Sequence, residues 1–249
     1  MSTDTPPHGN PGDILNWPML KVSYRTDKDA VAKLLPPGIE PADEARVFLT
    51  FYCFPVLNEP EFGLVMTTAA NYDGTAGEYA LGYAIDQEDA IYVSREHWGQ
   101  PKYLADIRYF RMLDHVEASV THHGTTFAAF SGNVSGNGDA GEVFEQHEWW
   151  IKHARSVTMM PGEYDFPPHV VHVRAKYRTA FRQNLEGELT LRESIADPLA
   201  QRLPMREQLD AYLWTPEHLE REIKLAGPLD AEAFTPFANT VGGTRFPLA

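Results

Sequence analysis

One lysine of this chain stands in a setting that suits covalent chemistry on a carbonyl compound. Lys102 directly follows Pro101 in the segment SREHWGQPKYLAD, residues 94–106. Proline favours the first helical position, so the spacing predicts a helix that begins at Pro101 and holds Lys102 in its first turn. The positive end of the helix dipole disfavours a cation there, and burial of the side chain would lower its pKa further. The uncharged amine that results is the form that attacks a ketone to make a Schiff base. By pattern alone, the alternative of a surface lysine whose stem covers apolar neighbours stays open.

The histidine pairs do not predict a metal site. His122 and His123 are adjacent, and His169 and His172 are three residues apart, in segments that favour strands. Residues at both spacings point to opposite faces of a strand, so neither pair converges on one ion. We therefore expect ordinary sheet or interface histidines and no cofactor.

Other catalytic motifs are weak or missing. The segment GNVSGNGDAG is rich in glycine but lacks the GK[ST] ending of a phosphate-binding loop, which favours a hairpin loop. There is no GxSxG motif, so a nucleophile-elbow hydrolase is not predicted. The single cysteine, Cys53, cannot form an internal disulfide, and its apolar neighbours favour a structural role in a buried strand.

The charge of the chain argues against polyanionic partners. Thirty-five Asp and Glu against 21 Lys and Arg leave the 249 residues with a formal charge of -14. A nucleic-acid or anionic-membrane surface would need a basic stripe, so we expect neither nucleic acid nor membrane as a partner. No apolar run reaches the roughly 18 residues of a membrane span, and the start MSTDTPPHGNPGD lacks the regions of a signal peptide. The expected location is the cytoplasm.

The elements that must position Lys102 are mainly strands. Alternating apolar residues separated by turn signals predict strands in eight segments, which are MLKVSYR, RVFLTFYCF, GLVMTTAANY, GEYALGYAI, AIYVSRE, VEASVTHHGTTFAAFSGNVSG, HVVHVRAKYRTAFRQN and GELTLRES. Their close spacing favours a mostly antiparallel sheet, and the fold class is α+β. Helices are predicted at DKDAVAKLL, from Pro101 onward, and at PEHLEREIKLAG. Residues 1–14 are expected to form a flexible lead-in, and residues 15–249 a single domain.

Several strings resemble the acetoacetate decarboxylase-like superfamily. They are YRTDKDAVAKLLPPGIEP, a strand ending in Phe54-Pro55, GEY at residues 77–79, and SREHWGQPK. The similarity spans roughly residues 17 to 110. It implies a barrel-like sheet, a homo-oligomer of four or more subunits, and a Schiff-base role for Lys102. Acetoacetate decarboxylase itself is an established case of a lysine activated by desolvation or a cationic neighbour.

The chain also departs from the pattern of true decarboxylases. Tyr103 stands where they carry a second lysine, and Trp17, Thr50 and Thr67 stand in place of an arginine and two acidic residues. The polar groups of a decarboxylase are therefore expected to be absent. The departures make the chain similar to the branch of pyruvate aldolase-dehydratases and hydratases of unsaturated 2-oxo acids.

Three functions compete at this point. The leading hypothesis is a lyase that joins Lys102 to a 2-oxo acid such as pyruvate, with an aldehyde or unsaturated acid as the second small molecule. The resulting iminium acidifies the neighbouring methyl group, and the enamine adds to an aldehyde or drives dehydration. The second hypothesis is a β-keto acid decarboxylase, which uses the same iminium. The third is a binding protein that holds a small ketone or aromatic acid without catalysis.

Four neighbours of Lys102 are candidates for binding the substrate. Arg95 could pair with a carboxylate through its guanidinium, or form a structural bridge with Glu96. Gln100 could hydrogen-bond the substrate or serve as a turn residue, and Tyr103 could donate a proton or lie in the core. Glu96 could orient Arg95 or shuttle a proton. By rough placement, Tyr72 and Glu78 are further candidates for the pocket.

Overall fold

The computed structural model describes residues 17–56 and 59–248, so the predicted lead-in lies outside the described residues. Within these ranges the chain forms twelve strands and four helices. The strands are β1 (Met19–Arg25), β2 (Ile39–Pro41), β3 (Arg46–Val56), β4 (Glu59–Tyr72), β5 (Thr75–Ile85), β6 (Lys102–Leu104), β7 (Asp106–Met112), β8 (His115–His122), β9 (Thr125–Asn137), β10 (Val143–Arg155), β11 (Tyr164–Leu191) and β12 (Glu207–Pro228). The helices are α1 (Lys28–Ala32), α2 (Glu88–Trp98), α3 (Leu199–Arg202) and α4 (Thr235–Ala238). No helix among these residues is long and apolar enough to cross a membrane.

Seven strands close into a barrel. Their order is β10-β5-β4-β3-β1-β12-β11, and β11 pairs back with β10. The neighbouring pairs are antiparallel except β10 with β5, which run parallel over a short register. Strands β9, β8 and β7 extend the sheet beyond β11, and β7 lies against β3, β4 and β5. The prediction of an α+β fold with a strand-rich, mostly antiparallel and barrel-like body is confirmed.

The alternation of side chains along each barrel strand separates the core from the lumen. In β1, Leu20, Val22 and Tyr24 are buried in the main hydrophobic core, which also contains apolar residues of β7, β8 and β9. The intervening residues Met19 and Lys21 face the barrel interior, where they line a cavity. Because successive side chains of a strand point to opposite faces, one strand contributes both to a dry core and to a lumen that can hold polar groups.

The helix predicted at PEHLEREIKLAG is wrong, because this segment belongs to β12. It pairs antiparallel with β11 over a long register. The acidic residues of the segment meet basic residues of β11, as in the ion pairs of Glu217 with Arg178 at 2.8 Å and of Glu220 with Arg174 at 3.3 Å. The long backbone pairing with β11, to which these cross-strand pairs of opposite charge add, therefore outweighs a helical pattern that was read from local spacing.

The region around Lys102 also differs from the prediction. Residues 90–96, predicted as a strand, lie within α2, whereas the helix predicted from Pro101 does not form and Lys102 begins β6. Gly99 ends α2 in the left-handed conformation, and its N–H donates to the carbonyl of Arg95 at 3.0 Å. By contrast, the predicted helix in DKDAVAKLL is confirmed as α1.

Two residues hold the turn between α2 and β6 against the barrel. A Cβ atom at Gly99 would lie 2.4 Å from the carbonyl oxygen of Ile151, so only glycine lets the two backbones approach this closely. Nη2 of Arg245 donates to the carbonyl oxygens of Gly99 and Ile151, both at 2.6 Å. Arg245 thus ties the chain just before Lys102 to β10.

We expect Gly99→Ala to destabilise the protein far more than Gly74→Ala. Both glycines have a positive φ, 68° and 72°, which costs alanine about 1–2 kcal/mol. Gly74 has open space around the added methyl group, whereas at Gly99 that group meets backbone. The expected loss in the free energy of unfolding is about 1 kcal/mol for Gly74→Ala and about 3 kcal/mol or more for Gly99→Ala. Urea titrations of the two variants measure the difference, and equal losses would contradict the close contact.

Candidate active site

Lys102 lies at the start of β6, beside Tyr83 of β5 in parallel register. Its side chain enters the barrel, and only 7% of the residue surface is exposed. The predicted placement in the first turn of a helix is wrong, since α2 ends before Gly99 and β6 follows. The helix-dipole argument for a lowered lysine pKa therefore fails, and the burial of the side chain takes its place.

The ammonium group of Lys102 forms a buried ion pair with Glu61 of β4. Nζ lies 3.2 Å from Oε1 and 3.1 Å from Oε2, and Glu61 has no exposed surface. The hydroxyl of Tyr52 donates to Oε1 of Glu61 at 2.6 Å. Burial lowers the pKa of Lys102, the negative charge and hydrogen bond of Glu61 oppose that effect, and the positive charge of Arg221 adds to it. The net direction is downward, so burial outweighs the carboxylate.

The cavity around Lys102 is the lumen of the barrel, with a volume of about 350 Å³. All seven barrel strands contribute side chains to its wall, together with α2 and the segment that leads into β6. The wall is largely aromatic, through Tyr52, Phe54, Tyr83, Trp98, Trp150, Tyr177 and Trp214. An apolar pocket with a few polar groups is the usual form of a site for a small molecule.

Two further carboxylates share the lumen with the lysine. Glu148 of β10 accepts hydrogen bonds from the hydroxyl of Tyr83 and from Nε1 of Trp150. Burial raises the pKa of Glu148 to about 7, although these two donors oppose the rise. Glu78 lies beside Glu148 in the β5–β10 register and accepts from Nε2 of Gln146 at 3.1 Å. A carboxyl group that titrates near neutrality can both donate and accept a proton during catalysis.

Positive charge also reaches the lumen. Arg221 of β12 lines the wall, where its charge lowers the pKa of Lys102 and of Glu148. Lys21 of β1 lies with its ammonium group 4.7 Å from the centre of the Trp214 ring. A small anion that enters the lumen therefore meets the guanidinium of Arg221 as well as the carboxylates of Glu78 and Glu148.

Of the four predicted neighbours of Lys102, only Gln100 faces the lumen. Its buried side chain lines the wall and hydrogen-bonds the hydroxyl of Tyr83. Arg95 instead donates from Nη1 to the carbonyl oxygen of Lys102 at 3.0 Å, so it supports the backbone. Arg95 and Glu96 lie together in a separate surface groove, and Glu96 is exposed.

Tyr103 follows Lys102 on the strand and therefore points to the opposite face. It is buried in the main core, and its hydroxyl donates to Oδ1 of Asp197 at 2.7 Å. Tyr72 packs against Trp149 in the same core, outside the lumen, whereas Glu78 does line the wall as predicted.

The expectation that acidic partners are absent does not hold. Thr50 and Thr67 line the lumen in place of acidic residues, and Trp17 packs on Tyr109 outside it. Glu78 and Glu148 line the lumen from other positions, and Glu61 contacts Lys102.

Sequence reasoning missed Glu61, Glu148 and Arg221. One signal could have pointed to Glu61, because it lies six residues before Thr67 on the same strand and therefore on the same face. The other two depend on the pairing of distant strands.

Comparisons with known proteins agree with this architecture. The model of the family described as "Acetoacetate decarboxylase (ADC)" matches residues 1–226. The acetoacetate decarboxylase of Paraburkholderia phytofirmans is 33% identical over 100 residues, and that of Burkholderia cenocepacia is 29% identical over 101 residues. These segments cover 39% of this chain, and 38% and 40% of the respective relatives.

Solved structures show the same fold at low sequence identity. The acetoacetate decarboxylase of Legionella pneumophila has a TM-score of 0.75 at 16% identity, covering 86% of both chains. The enduracididine biosynthesis enzyme MppR complexed with pyruvate has a TM-score of 0.68 at 15% identity, covering 84% of this chain and 87% of that one. The match of the family model over most of the chain shows that this protein belongs to the acetoacetate decarboxylase family.

Proposed function

We propose that this protein is a Schiff-base-forming lyase that acts on small 2-oxo acids through Lys102. The observation that carries the proposal is a buried lysine amine, with a pKa lowered by burial, at the wall of an apolar lumen of about 350 Å³. Few structural roles require such a lysine, whereas attack on a carbonyl needs an uncharged amine. Membership of the acetoacetate decarboxylase family supports the same chemistry.

The lumen supplies the groups that this chemistry needs. Nζ of Lys102 forms a bond to the carbonyl carbon, and the carbonyl oxygen leaves as water to give an iminium. The iminium draws electrons from the adjacent carbon, so that a base can remove a proton and leave an enamine. Glu148, with its pKa of about 7, is the group that takes this proton and later returns one. Arg221 attracts the substrate carboxylate, and Gln100 offers it an amide beside Lys102.

The size of the lumen favours a reaction with two small molecules. Its volume falls in the range of about 300–1,000 Å³ that is common for ligand pockets. A three-carbon acid such as pyruvate leaves room there for an aldehyde, which the enamine can attack. The fold of MppR, which has been complexed with pyruvate, supports this assignment.

Decarboxylation of a β-keto acid is the second candidate. The observation that favours it is the pair of carboxyl groups, Glu78 and Glu148, that line the lumen. The negative charge of Glu78 would repel the carboxylate of a β-keto acid bound to Lys102, and loss of carbon dioxide relieves that repulsion. Protonated Glu148 would then supply the proton that the enamine needs.

Pyruvate with borohydride should add one pyruvate-derived group to Lys102 of the wild-type protein. Lys102→Arg should abolish the labelling, because the arginine keeps the charge beside Glu61 while its guanidinium stays protonated. Lys21→Arg changes the other lysine of the lumen in the same way and should keep the label. Mass spectrometry of peptides locates the added group. An unmodified Lys102, under conditions that label a known class I aldolase, would contradict the proposal. It would favour the third hypothesis, a binding protein without catalytic activity.

Acetoacetate separates the two lyase reactions. If the protein is a 2-oxo acid lyase, acetoacetate should release carbon dioxide no faster with the wild-type protein than with Lys102→Arg. Gas release that depends on Lys102 would instead identify the second candidate. The measurement is carbon dioxide evolution at equal concentrations of the two proteins, checked against spontaneous decarboxylation.

Glu148→Gln should slow the exchange of the pyruvate methyl protons with deuterated water by about 100-fold, the low end of general acid–base effects. Nuclear magnetic resonance follows this exchange without a second substrate, because it needs only the iminium and the enamine. As the base, Glu148 must be ionised, so the wild-type rate should rise with pH up to about 7 and then level off. The rise should disappear in Glu148→Gln. An unchanged pH profile in the variant would assign proton removal to another group.

A further inference from the structure

The contact between Lys102 and Glu61 raises a question about the resting state of the site. Both oxygens of Glu61 lie within 3.2 Å of Nζ, and both side chains are removed from water. A buried carboxylate stabilises a lysine as ammonium, yet the ammonium form cannot attack a carbonyl. The proposed chemistry therefore requires a proton to leave Nζ inside a closed lumen.

We infer that Glu61 is a catalytic residue that accepts the proton of the Lys102 ammonium, returns it to the departing oxygen, and then serves as the counter-ion of the iminium. The inference rests on the proposed function. It follows from the contact of Glu61 with the reacting nitrogen itself, at 3.1 Å.

The proton count balances without any exchange with bulk solvent. The ammonium carries three protons, of which the first passes to Glu61. The amine then bonds to the carbonyl carbon, and its second proton moves to the carbonyl oxygen to give a carbinolamine. Glu61 returns the first proton to that oxygen, the carbon–oxygen bond breaks, and water leaves with both protons. The third proton stays on the iminium nitrogen, and Glu61 is again a carboxylate.

This sequence also keeps the total charge of the pair at zero. Ammonium with carboxylate, amine with carboxylic acid, and iminium with carboxylate are each neutral as a pair. An uncompensated charge in an apolar site is costly, so a partner that follows the lysine through every stage lowers the energy of each one. Arg221, which also lines the lumen, makes an unpaired iminium still less favourable.

Tyr52 and Gly63 fix the position of the Glu61 carboxylate. The hydroxyl of Tyr52 occupies Oε1 at 2.6 Å, which leaves Oε2 for the proton of Lys102. Burial, together with the charge of Glu61, raises the pKa of Tyr52 well above its ordinary value, so its hydroxyl remains a donor. The ring of Tyr52 reaches this place because Gly63 has no side chain, and a Cβ there would lie 2.3 Å from the ring.

Glu78 and Glu148, which line the lumen, form hydrogen bonds with side chains other than Lys102. Glu78 accepts from Thr67 and Gln146, and Glu148 accepts from Tyr83 and Trp150. Neither forms a hydrogen bond or ion pair with Nζ of Lys102 among the described residues.

Glu61→Gln provides the test, with Glu59→Gln as a matched control. Glu59 begins the same strand and is exposed, so its substitution removes the same charge without touching the lumen. The first readout is the pH dependence of Lys102 acetylation by acetic anhydride, located by mass spectrometry. Loss of the carboxylate should move the midpoint of this profile to lower pH by about one unit or more, a tenfold gain in free amine.

The second readout is the rate of trapping of pyruvate on Lys102 by cyanoborohydride. Although Glu61→Gln holds more free amine, this rate should fall by about 100-fold, because the proton shuttle and the counter-ion are both lost. A catalytic role predicts that Lys102 acetylation increases while pyruvate trapping decreases. A purely structural role predicts that both readouts stay unchanged or that both decrease. Glu61→Asp should restore part of both properties, and it provides the same comparison if Glu61→Gln fails to fold.

The outcomes separate this inference from the proposed function. If pyruvate is trapped as fast in Glu61→Gln as in the wild-type protein, the role of Glu61 is overturned while the Schiff-base chemistry stands. The same holds if the acetylation profile of Lys102 is unchanged in this variant. A wild-type protein that pyruvate does not label at all would overturn the proposed function, and the proton transfer with it.

Discussion

The ion pair between Lys102 and Glu61 is the contact on which the rest of the candidate site depends. Two opposite charges lie inside an apolar lumen, and each is tolerable only because the other is within 3.2 Å. The pair therefore requires that β4 and β6 be held in fixed positions. Strand β5 lies between them and pairs with both, which places the lysine and the carboxylate on one wall.

The closed barrel satisfies a second requirement, which is to keep this polar chemistry apart from the hydrophobic core. In β10, Trp149 and Ile151 are buried in the main core, whereas Glu148 and Trp150 line the lumen. The same alternation in every barrel strand lets one sheet serve two interiors of opposite character. Carboxylates and the reactive lysine can thus be concentrated in the lumen without disturbing the packing that stabilises the fold.

The two carboxyl groups that line the lumen, Glu78 and Glu148, and Glu61 beside Lys102 lie in different environments. Burial raises the pKa of Glu148 to about 7, although Tyr83 and Trp150 donate to it. Glu61 is matched by the ammonium of Lys102. Carboxyl groups of one cavity that differ in this way can take separate roles in a proton-transfer sequence. Thr50 and Thr67 line the same lumen, so its carboxyl groups come from other positions of the barrel strands.

The sequence by itself predicted the class of the fold, most of the barrel strands and the candidate lysine, Lys102. Apolar alternation is a local property, and Lys102 stands in a local string that resembles the family. The sequence misplaced elements whose structure depends on distant partners. Strand β12 pairs along much of its length with β11, and β6 follows a turn that Gly99 and Arg245 hold against β10. Only the tertiary structure could show that Lys102 meets Glu61 and that Arg95 and Tyr103 face away from the lumen. Contacts between residues 41 positions apart depend on strand order and register, and the long-range pairing that sets them cannot be read from spacing along the chain.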